Sequence, residues 1–291
     1  MDKTTYQALR AEFKAMGYMD TSDAHGWKVV GLEFAQFTAT IIALFHVETF
    51  SIGYWLLQLW LAMGIFRAFV LVHEGGHGTL FSSRRYNRFF ARIFGIICLI
   101  PADNWRIAHF QHHIWVGVVD KDPTSAGVLE VQKYSKGMRK LSLILWKLRI
   151  PLAAIGGMFR GFWMFPWVQA KQGNAKNAKI GWMSNVITVM PWVIGLLIFG
   201  WGPVALMVGP ALVIYYVWFE CINLTHHGGL YTLISDSHPQ PVPLHQQAVH
   251  CRSANLPEFI SLITCYHFNL HTEHHLFPTI PWHNAPILKQ R

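Results

Sequence analysis

The stretch "FSIGYWLLQLWLAMGIFRAFVLV" (residues 50–72), followed at once by "HEGGH" (73–77), decides the predicted fold. As a helix, its apolar residues are long enough to cross a hydrocarbon core of roughly 30 Å. The histidines then lie where this span leaves the membrane. Further apolar stretches of similar length occur at about 29–47, 182–200 and 203–222. We therefore predict an all-α integral membrane protein whose four transmembrane helices form two hairpins.

The composition of the chain supports a membrane protein. Hydrophobic residues make up 52% and charged residues only 13% of the 291 residues, whereas an average soluble domain has about 25% charged residues. The first apolar stretch lacks a small-residue cleavage site, so we expect an anchor and not a removed signal peptide. We expect a single domain over residues 1–291.

The basic residues predict the topology. Residues 73–184 carry 16 of the 24 Lys and Arg residues, and residues 1–28 carry four more. By the positive-inside rule, both termini and the long central loop face the cytoplasm. We attribute the net charge of +9 to this topology and to a basic surface that faces the membrane or a partner. We expect no nucleic-acid binding. Shorter apolar segments, about 89–101 and 141–168, are predicted to lie in the membrane interface and frame a cytoplasmic helical cap that holds the metal site.

The histidines are grouped along the chain. Eleven of the 17 fall in "HEGGH" (73–77), "HFQHH" (109–113), "LTHHG" (224–228) and "HFNLHTEHH" (267–275). Residues at i, i+3 and i+4 share one face of a helix, so each group can direct its imidazoles at one point. Two groups follow spans that end on the predicted cytoplasmic side, and the other two lie in cytoplasmic segments. We therefore predict that the groups converge on a metal site beneath the cap.

The motif H-E-x-x-H is also the signature of zinc proteases. A zinc site needs three or four ligands, whereas eight histidines in these groups exceed that number for one metal and suit two. The eight candidate ligands are His73, His77, His109, His112, His113, His271, His274 and His275. An intramembrane protease would need an acidic ligand from a later span, where only Glu220 is present. A membrane zinc protease is therefore a distant alternative, and imidazoles also suit iron or copper.

The motifs "HEGGH", "HFQHH" and "HTEHH" resemble the three histidine boxes of the membrane fatty acid desaturase superfamily, which also includes lipid hydroxylases and carotenoid ketolases. The third box continues as "HTEHHLFPTIPWHNAP" (271–286), which is similar to acyl-lipid and sphingolipid desaturases. The resemblance implies two Fe ions in a non-haem di-iron centre, with dioxygen as co-substrate. It also implies an acyl-chain substrate and a fatty acyl desaturase. A hydroxylase or ketolase of a lipid, carotenoid or other metabolite on the same scaffold is the alternative.

Electrons for such a reaction have to come from another protein. We see no haem-binding segment beside the histidine boxes and expect no fused cytochrome b5-like domain, so we expect an external donor of the ferredoxin or cytochrome b5 type.

The fourth histidine group supplies a ninth candidate ligand. In stearoyl-type desaturases, an N-x-x-x-H pattern at the end of the fourth span provides an extra ligand and a water-holding asparagine, and Asn223 and His227 match it. His226 points about 100° away in a helix, so it is expected to meet lipid headgroups or the cap. In the competing hypothesis the helix ends before Gly228, which frees His226 to ligate instead.

Acidic residues near the boxes are candidates to orient the ligands. Glu74 and Glu273 could accept the free ring N–H of a ligating histidine, and Asp120 and Asp122 are weaker candidates. His267, outside the box spacing, is either an orienting group or structural. The remaining histidines are expected to be ordinary surface or core residues.

Two further groups of side chains are expected to have no ligating role. Trp105 and Arg106, just before the second box, either shape the substrate entrance or anchor the chain at the membrane interface, and we expect the anchor. Arg67, inside the second span, is expected to snorkel or to face the helix bundle.

Overall fold

The computed structural model describes residues 1–125, 129 and 131–290. Within these residues the chain is all-α, and its only β-type pairing is an isolated bridge between Val118 and Leu233. The α-helices are α1 Lys3–Ala15, α2 Asp23–Phe45, α3 Ile52–His77, α4 Arg84–Ile97, α5 Ala102–Trp115, α6 Lys136–Lys147, α7 Leu152–Met158, α8 Phe165–Lys171, α9 Ala175–Phe199, α10 Trp201–His227, α11 Glu258–Cys265, α12 His271–Leu276 and α13 Ala285–Lys289. Short 3₁₀ segments cover Leu244–His250 and Trp282–Asn284, and a π-helical turn covers Phe159–Trp163.

Four helices are long and apolar enough to cross a membrane, namely α2, α3, α9 and α10. This confirms the predicted number of apolar helices of spanning length, but their predicted ends were wrong by up to seven residues. Helix ends are set by capping and not by hydropathy. The side chains of Ser22, Ser51 and Asn174 each accept a backbone N–H at the start of α2, α3 and α9. At their carboxyl-terminal ends, α3 and α10 continue past their apolar stretches and include the first histidine box and the pair His226 and His227.

Helix α3 lies at the centre of the molecule. Two thirds of its most apolar window, 67%, is buried inside the protein, compared with 28% or less in the other three long helices. It packs against α2, α4, α10 and α11. Its last turns, which carry the first histidine box, are therefore part of the core and not of a peripheral loop.

A charged pair lies inside the span region of α2 and α3. The Nε of Arg67 donates to Glu33 Oε1 at 2.6 Å, and its Nη1 donates to the carbonyl oxygen of Ile263 at 2.6 Å. The hydroxyl of Tyr266 also donates to Glu33. Both charges are buried and paired, as charges at membrane depth must be. Of the two expectations for Arg67, the bundle-facing one is confirmed.

The predicted interfacial segments are helical, but their bounds were wrong. The segment predicted at 89–101 is α4, which begins at Arg84 and ends at Ile97 because Leu99 adopts a positive φ of 55° shortly before Pro101. The segment predicted at 141–168 is not one helix. It is divided into α6, α7, the π-helical turn and α8, and the first break falls at Arg149, with φ of 55°, and Pro151.

The amino-terminal helix packs against the segment that follows the third histidine box. Tyr6 and Phe13 of α1 form a small hydrophobic cluster with Phe277 and Ile280, which follow the box. The ring of Tyr6 stacks on Phe277 at 5.1 Å, and its hydroxyl donates to the carbonyl of Leu276 at 3.0 Å. Helix α1 therefore fixes the segment that follows α12.

Candidate metal centre

The first histidine box forms the end of α3. His73 and His77 lie one turn apart on one helix face, and their ring centroids are 4.7 Å apart. Gly78, with φ of 79°, ends the helix immediately afterwards. The box is thus held by the most buried helix of the molecule.

The second box occupies the last two turns of α5. His109 and His113 face the first box, and the Nε2 atoms of His109 and His77 are 2.9 Å apart. His112 points to a second group of histidines, where its Nε2 lies 3.2 Å from that of His275. Helix α5 therefore contributes to two neighbouring clusters.

The third box forms the short helix α12. Two residues with positive φ, Tyr266 and His267, precede this helix and turn the chain back from α11. The Ser253 hydroxyl accepts the backbone N–H of Thr272 at 3.0 Å. His274 then faces His73, with 3.0 Å between their Nε2 atoms, while His271 and His275 face the other way.

The histidines form two compact tetrads. The first contains His73, His77, His109 and His274, and the second contains His112, His227, His271 and His275. Within each tetrad the candidate ligand atoms lie within 4.8 Å of one another. The Nε2 of His113 lies 3.0 Å from those of both His109 and His274, so His113 borders the first tetrad. The structure thus brings all nine predicted ligands together.

The outer ring nitrogens show that the tetrads fit a metal ion. The Nδ1 atoms of four rings lie 2.8 to 3.0 Å from oxygen acceptors: His73 from Glu74, His112 from Asp122, His227 from the carbonyl of His250, and His275 from Gln247. An imidazole that donates through Nδ1 presents a lone pair at Nε2. These four rings therefore direct lone pairs into the tetrads, as metal-bound histidines do.

Burial keeps the box histidines neutral. It lowers the pKa of His109, His271, His274 and His275 well below the ordinary value of 6.5, and neighbouring histidines lower it further. Metal binding requires the unprotonated ring, so the cluster is prepared for a cation at neutral pH.

The orienting residues agree with the sequence prediction only in part. Glu74 contacts His73 as expected, and it also accepts hydrogen bonds from the Thr79 hydroxyl and the Trp282 backbone N–H. Glu273 instead accepts a hydrogen bond from Ser253. The amide of Asn223 donates to the carbonyl of Phe219. These contacts give Glu273 and Asn223 hydrogen-bond partners other than the candidate ligands, and their orienting roles stay predictions.

Of the two candidate aspartates, Asp122 contacts His112 directly, while Asp120 binds Ser235. Sequence reasoning missed Gln247 and the His250 carbonyl. Neither has a fixed spacing from a box, because Leu244–His250 is a separate 3₁₀ segment, so no pattern in the sequence pointed to them.

Two further expectations were wrong. His226 does not face lipid headgroups, because its side chain is fully buried and stacks on His271. Trp105 is not an exposed interfacial anchor. It is 3% exposed, and its ring stacks on His109 at 4.3 Å and contacts Phe69 edge-on.

His267 has a structural contact, since its Nδ1 lies 2.8 Å from the Ser261 hydroxyl. This bond ties the turn before α12 to α11.

Four spanning-length helices and a buried cluster of histidine boxes define a class of histidine-rich membrane proteins. The chain belongs to the fatty acid desaturase family, whose model matches residues 50–291. It is therefore a membrane protein of an oxidoreductase family, and the resemblance seen in the three boxes is confirmed.

Individual relatives are distant. The chain is 27% identical to an endoplasmic reticulum omega-3 fatty acid desaturase of Vigna radiata var. radiata, over 83% of this chain and 65% of that protein. It is 25% identical to an sn-1 oleoyl-lipid 12-desaturase of Arthrospira platensis, over 74% and 61%. It is 24% identical to a beta-carotene 4-ketolase of Protosiphon botryoides, over 76% and 48%. The chain thus spans about half to two thirds of the length of these relatives.

Proposed function

We propose that the protein is an oxygen-dependent di-iron oxidoreductase that introduces a C=C bond into a fatty acyl chain of a lipid. The observation that carries this proposal is the pair of histidine tetrads, which lie side by side and share α5 and α12. Adjacent histidines of each helix, such as His112 and His113 or His274 and His275, serve different clusters. Such an arrangement supports two ions close together.

The ligand chemistry supports iron over zinc. Neutral imidazoles suit both metals, but zinc has no redox chemistry, and the family is an oxidoreductase family. Two irons bound by the tetrads, with dioxygen as co-substrate, would supply the oxidising power to remove hydrogen from an unactivated methylene. The proposed ligands are His73, His77, His109, His112, His113, His227, His271, His274 and His275.

Apolar side chains surround the centre, and we expect them to exclude water from it and to contact an acyl chain. Aromatic residues lie against the rings of the centre on the side of the long helices: Phe268 contacts His73 edge-on at 5.1 Å, and Phe69 packs against Phe268 at 5.4 Å. An apolar wall of this kind suits a hydrocarbon chain and not a charged substrate. Glu74 and Asp122 hold the rings of His73 and His112 in the tautomer that ligates.

The contacts of Glu74 argue against the protease alternative. In an H-E-x-x-H protease the glutamate acts as general base on a metal-bound water. Here both carboxylate oxygens of Glu74 accept hydrogen bonds from protein groups, namely the His73 ring, the Thr79 hydroxyl and the Trp282 backbone N–H. Both carboxylate oxygens are therefore engaged with protein groups, which argues against a role of Glu74 in activating water.

A hydroxylase or ketolase is the second candidate function. It is favoured by the matches to beta-carotene 4-ketolases of Protosiphon botryoides and Haematococcus lacustris at 24% and 25% identity. Desaturation and hydroxylation share the first hydrogen abstraction and diverge afterwards. A product with an added oxygen atom would assign the chain to this second group.

Lipid profiling of a host with few unsaturated lipids, expressing the chain with an electron donor, tests the proposal. We expect a new double bond in an acyl chain, located by mass spectrometry of derivatised fatty acids. His112→Ala and His274→Ala should give no product while still inserting into the membrane, and His283→Ala, outside the tetrads, should remain active. Full activity of either box variant, or one zinc per chain instead of two irons, would contradict the assignment.

A further inference from the structure

His226 is buried beside the metal centre without a polar partner. Its side chain is 0% exposed, and among the described residues neither ring nitrogen has a hydrogen-bond partner. An unpaired buried polar group is unfavourable, so the position of this ring needs an explanation other than hydrogen bonding.

The face of the His226 ring makes the closest ring contact in the cluster. It stacks on His271 with 4.0 Å between centroids and 8° between planes. The other ring neighbours of His271 in its tetrad meet it edge-on, at 79° for His227 and 72° for His275. The ring of His226 therefore lies parallel to that of His271, unlike the two tetrad neighbours of His271.

His271 also lacks the usual means of orientation. A metal-bound histidine ordinarily donates its outer N–H to an oxygen acceptor, which fixes the ring. The other three histidines of its tetrad have such partners in Asp122, the His250 carbonyl and Gln247. The Nδ1 of His271 is buried without a partner among the described residues. In this tetrad the stacked ring of His226 takes the place of the missing acceptor.

We propose that His226 is a positioning residue that holds His271 in ligating orientation through its ring face, without binding the metal through a nitrogen. The proposal rests on the di-iron function proposed above. A histidine that donates its lone pair to a cation becomes an electron-poor ring, and a neutral aromatic face attracts such a ring. The stack therefore strengthens when His271 ligates.

The test separates ring face from ring nitrogen. His226→Phe retains an aromatic face and removes both nitrogens, whereas His226→Leu fills similar space without an aromatic face. His25→Ala is the matched control, because His25 also stacks on a histidine, His283, at 4.4 Å and 11°, outside both tetrads. Thermal unfolding of the purified full chain establishes that each variant is folded.

The readout is iron per chain during titration with a chelator, together with the Mössbauer signals of the two irons. We expect wild type, His226→Phe and His25→Ala to hold two irons equally well. His226→Leu should lose one iron at a chelator concentration lower by about 3- to 10-fold, which corresponds to the interaction free energy of an aromatic pair. Only one of the two Mössbauer signals should change.

Other outcomes would overturn the proposal. If His226→Phe loses iron as His226→Leu does, a ring nitrogen is required. If His226→Leu retains both irons like wild type, the stack has no positioning role. If His226→Leu does not fold, His226→Phe decides alone, because retention of two irons without a nitrogen supports the ring face. Wild type without iron would refute the di-iron function itself and is thereby distinguished from failure of this inference.

Discussion

At the scale of single residues, Asp122 links the second histidine box to the loop that follows it. Its carboxylate oxygens lie 2.8 and 3.0 Å from His112 Nδ1, and the side chain is nearly inaccessible to solvent. It also accepts the backbone N–H and the hydroxyl of Thr124. A carboxylate fixed in this way holds His112 as the Nδ1–H tautomer and keeps its Nε2 free for a metal.

We expect Asp122→Ala to weaken iron binding by roughly 10- to 100-fold, the usual effect of removing such a partner. Chelator competition on the purified protein measures the change. Asp120→Ala is the matched control, because Asp120 lies two residues earlier and binds Ser235 at the surface. Equal iron affinity in the two variants would show that Asp122 does not orient His112.

At the scale of helices, α3 and α4 approach each other closely at Gly75, within the first histidine box. A Cβ atom on Gly75 would lie 2.7 Å from the Asn87 carbonyl oxygen and 2.9 Å from the Ala91 Cβ. Since the backbone of α4 cannot move like a flexible side chain, Gly75→Ala should force the helices apart, at a cost of about 1–3 kcal/mol of stability. Thermal unfolding and iron content should both decrease.

The control for this substitution is Gly31→Ala in α2, where a Cβ would meet no atom within 4 Å. Alanine there removes only the low helix propensity of glycine, so stability should be unchanged or should rise by up to ~1 kcal/mol. Unfolding temperatures that fall equally in both variants would argue against close packing at Gly75.

Helix α6 is an amphipathic element without buried residues. Lys136, Lys140 and Lys147 lie within about 40° of one another around the helix, and Leu141 and Leu145 lie on the opposite side. Such a helix is typical of the membrane interface.

A nitroxide on Leu141→Cys should therefore be accessible to oxygen dissolved in lipid, and one on Lys140→Cys to a water-soluble relaxing agent. Equal accessibility of the two labels to the aqueous agent would place α6 outside the membrane.

At the scale of the whole molecule, the distribution of basic residues predicts that both termini and the cap face the cytoplasm. The native thiol of Cys251 is not a suitable reporter of topology, because it is buried and donates to the Gln247 carbonyl. Exposed positions are better reporters. In intact cells, a membrane-impermeant thiol reagent should modify Glu48→Cys, in the turn between α2 and α3, and spare Gln172→Cys. Modification of Gln172→Cys alone would reverse the topology.

The net charge of +9 also predicts how an external electron donor reaches the centre. An acidic ferredoxin or a cytochrome b5 would be attracted by the basic surface, and that attraction is screened beyond ~8 Å at physiological salt. The rate of reduction by such a donor should fall as ionic strength rises. A rate independent of salt would indicate that the Lys and Arg residues serve lipid headgroups only.

Much of the site could be predicted because its ligands come in helical spacing. His73 with His77, and each H-x-x-H-H box, lie on one face once the segment is helical, and α3, α5 and α12 are helical. The outer partners could not be predicted in this way. Gln247 and the His250 carbonyl belong to a 3₁₀ segment whose position depends on tertiary packing. Likewise, the inward position of His226 depends on where α12 places His271 and not on the helical angle of His226 alone.

The tetrads join parts of the chain that are distant in sequence. His73 and His274 are 201 residues apart, and His112 and His275 are 163 residues apart. An ion that binds both members of such a pair acts as a reversible cross-link. Closing a loop of this length removes ~5 kcal/mol of chain entropy from the unfolded state on a loop-closure model. If the two ends of the chain were pulled apart, the residues between the cross-linked histidines would therefore carry no load until the ions are released. The release of metal would then set the unfolding force of this part of the protein.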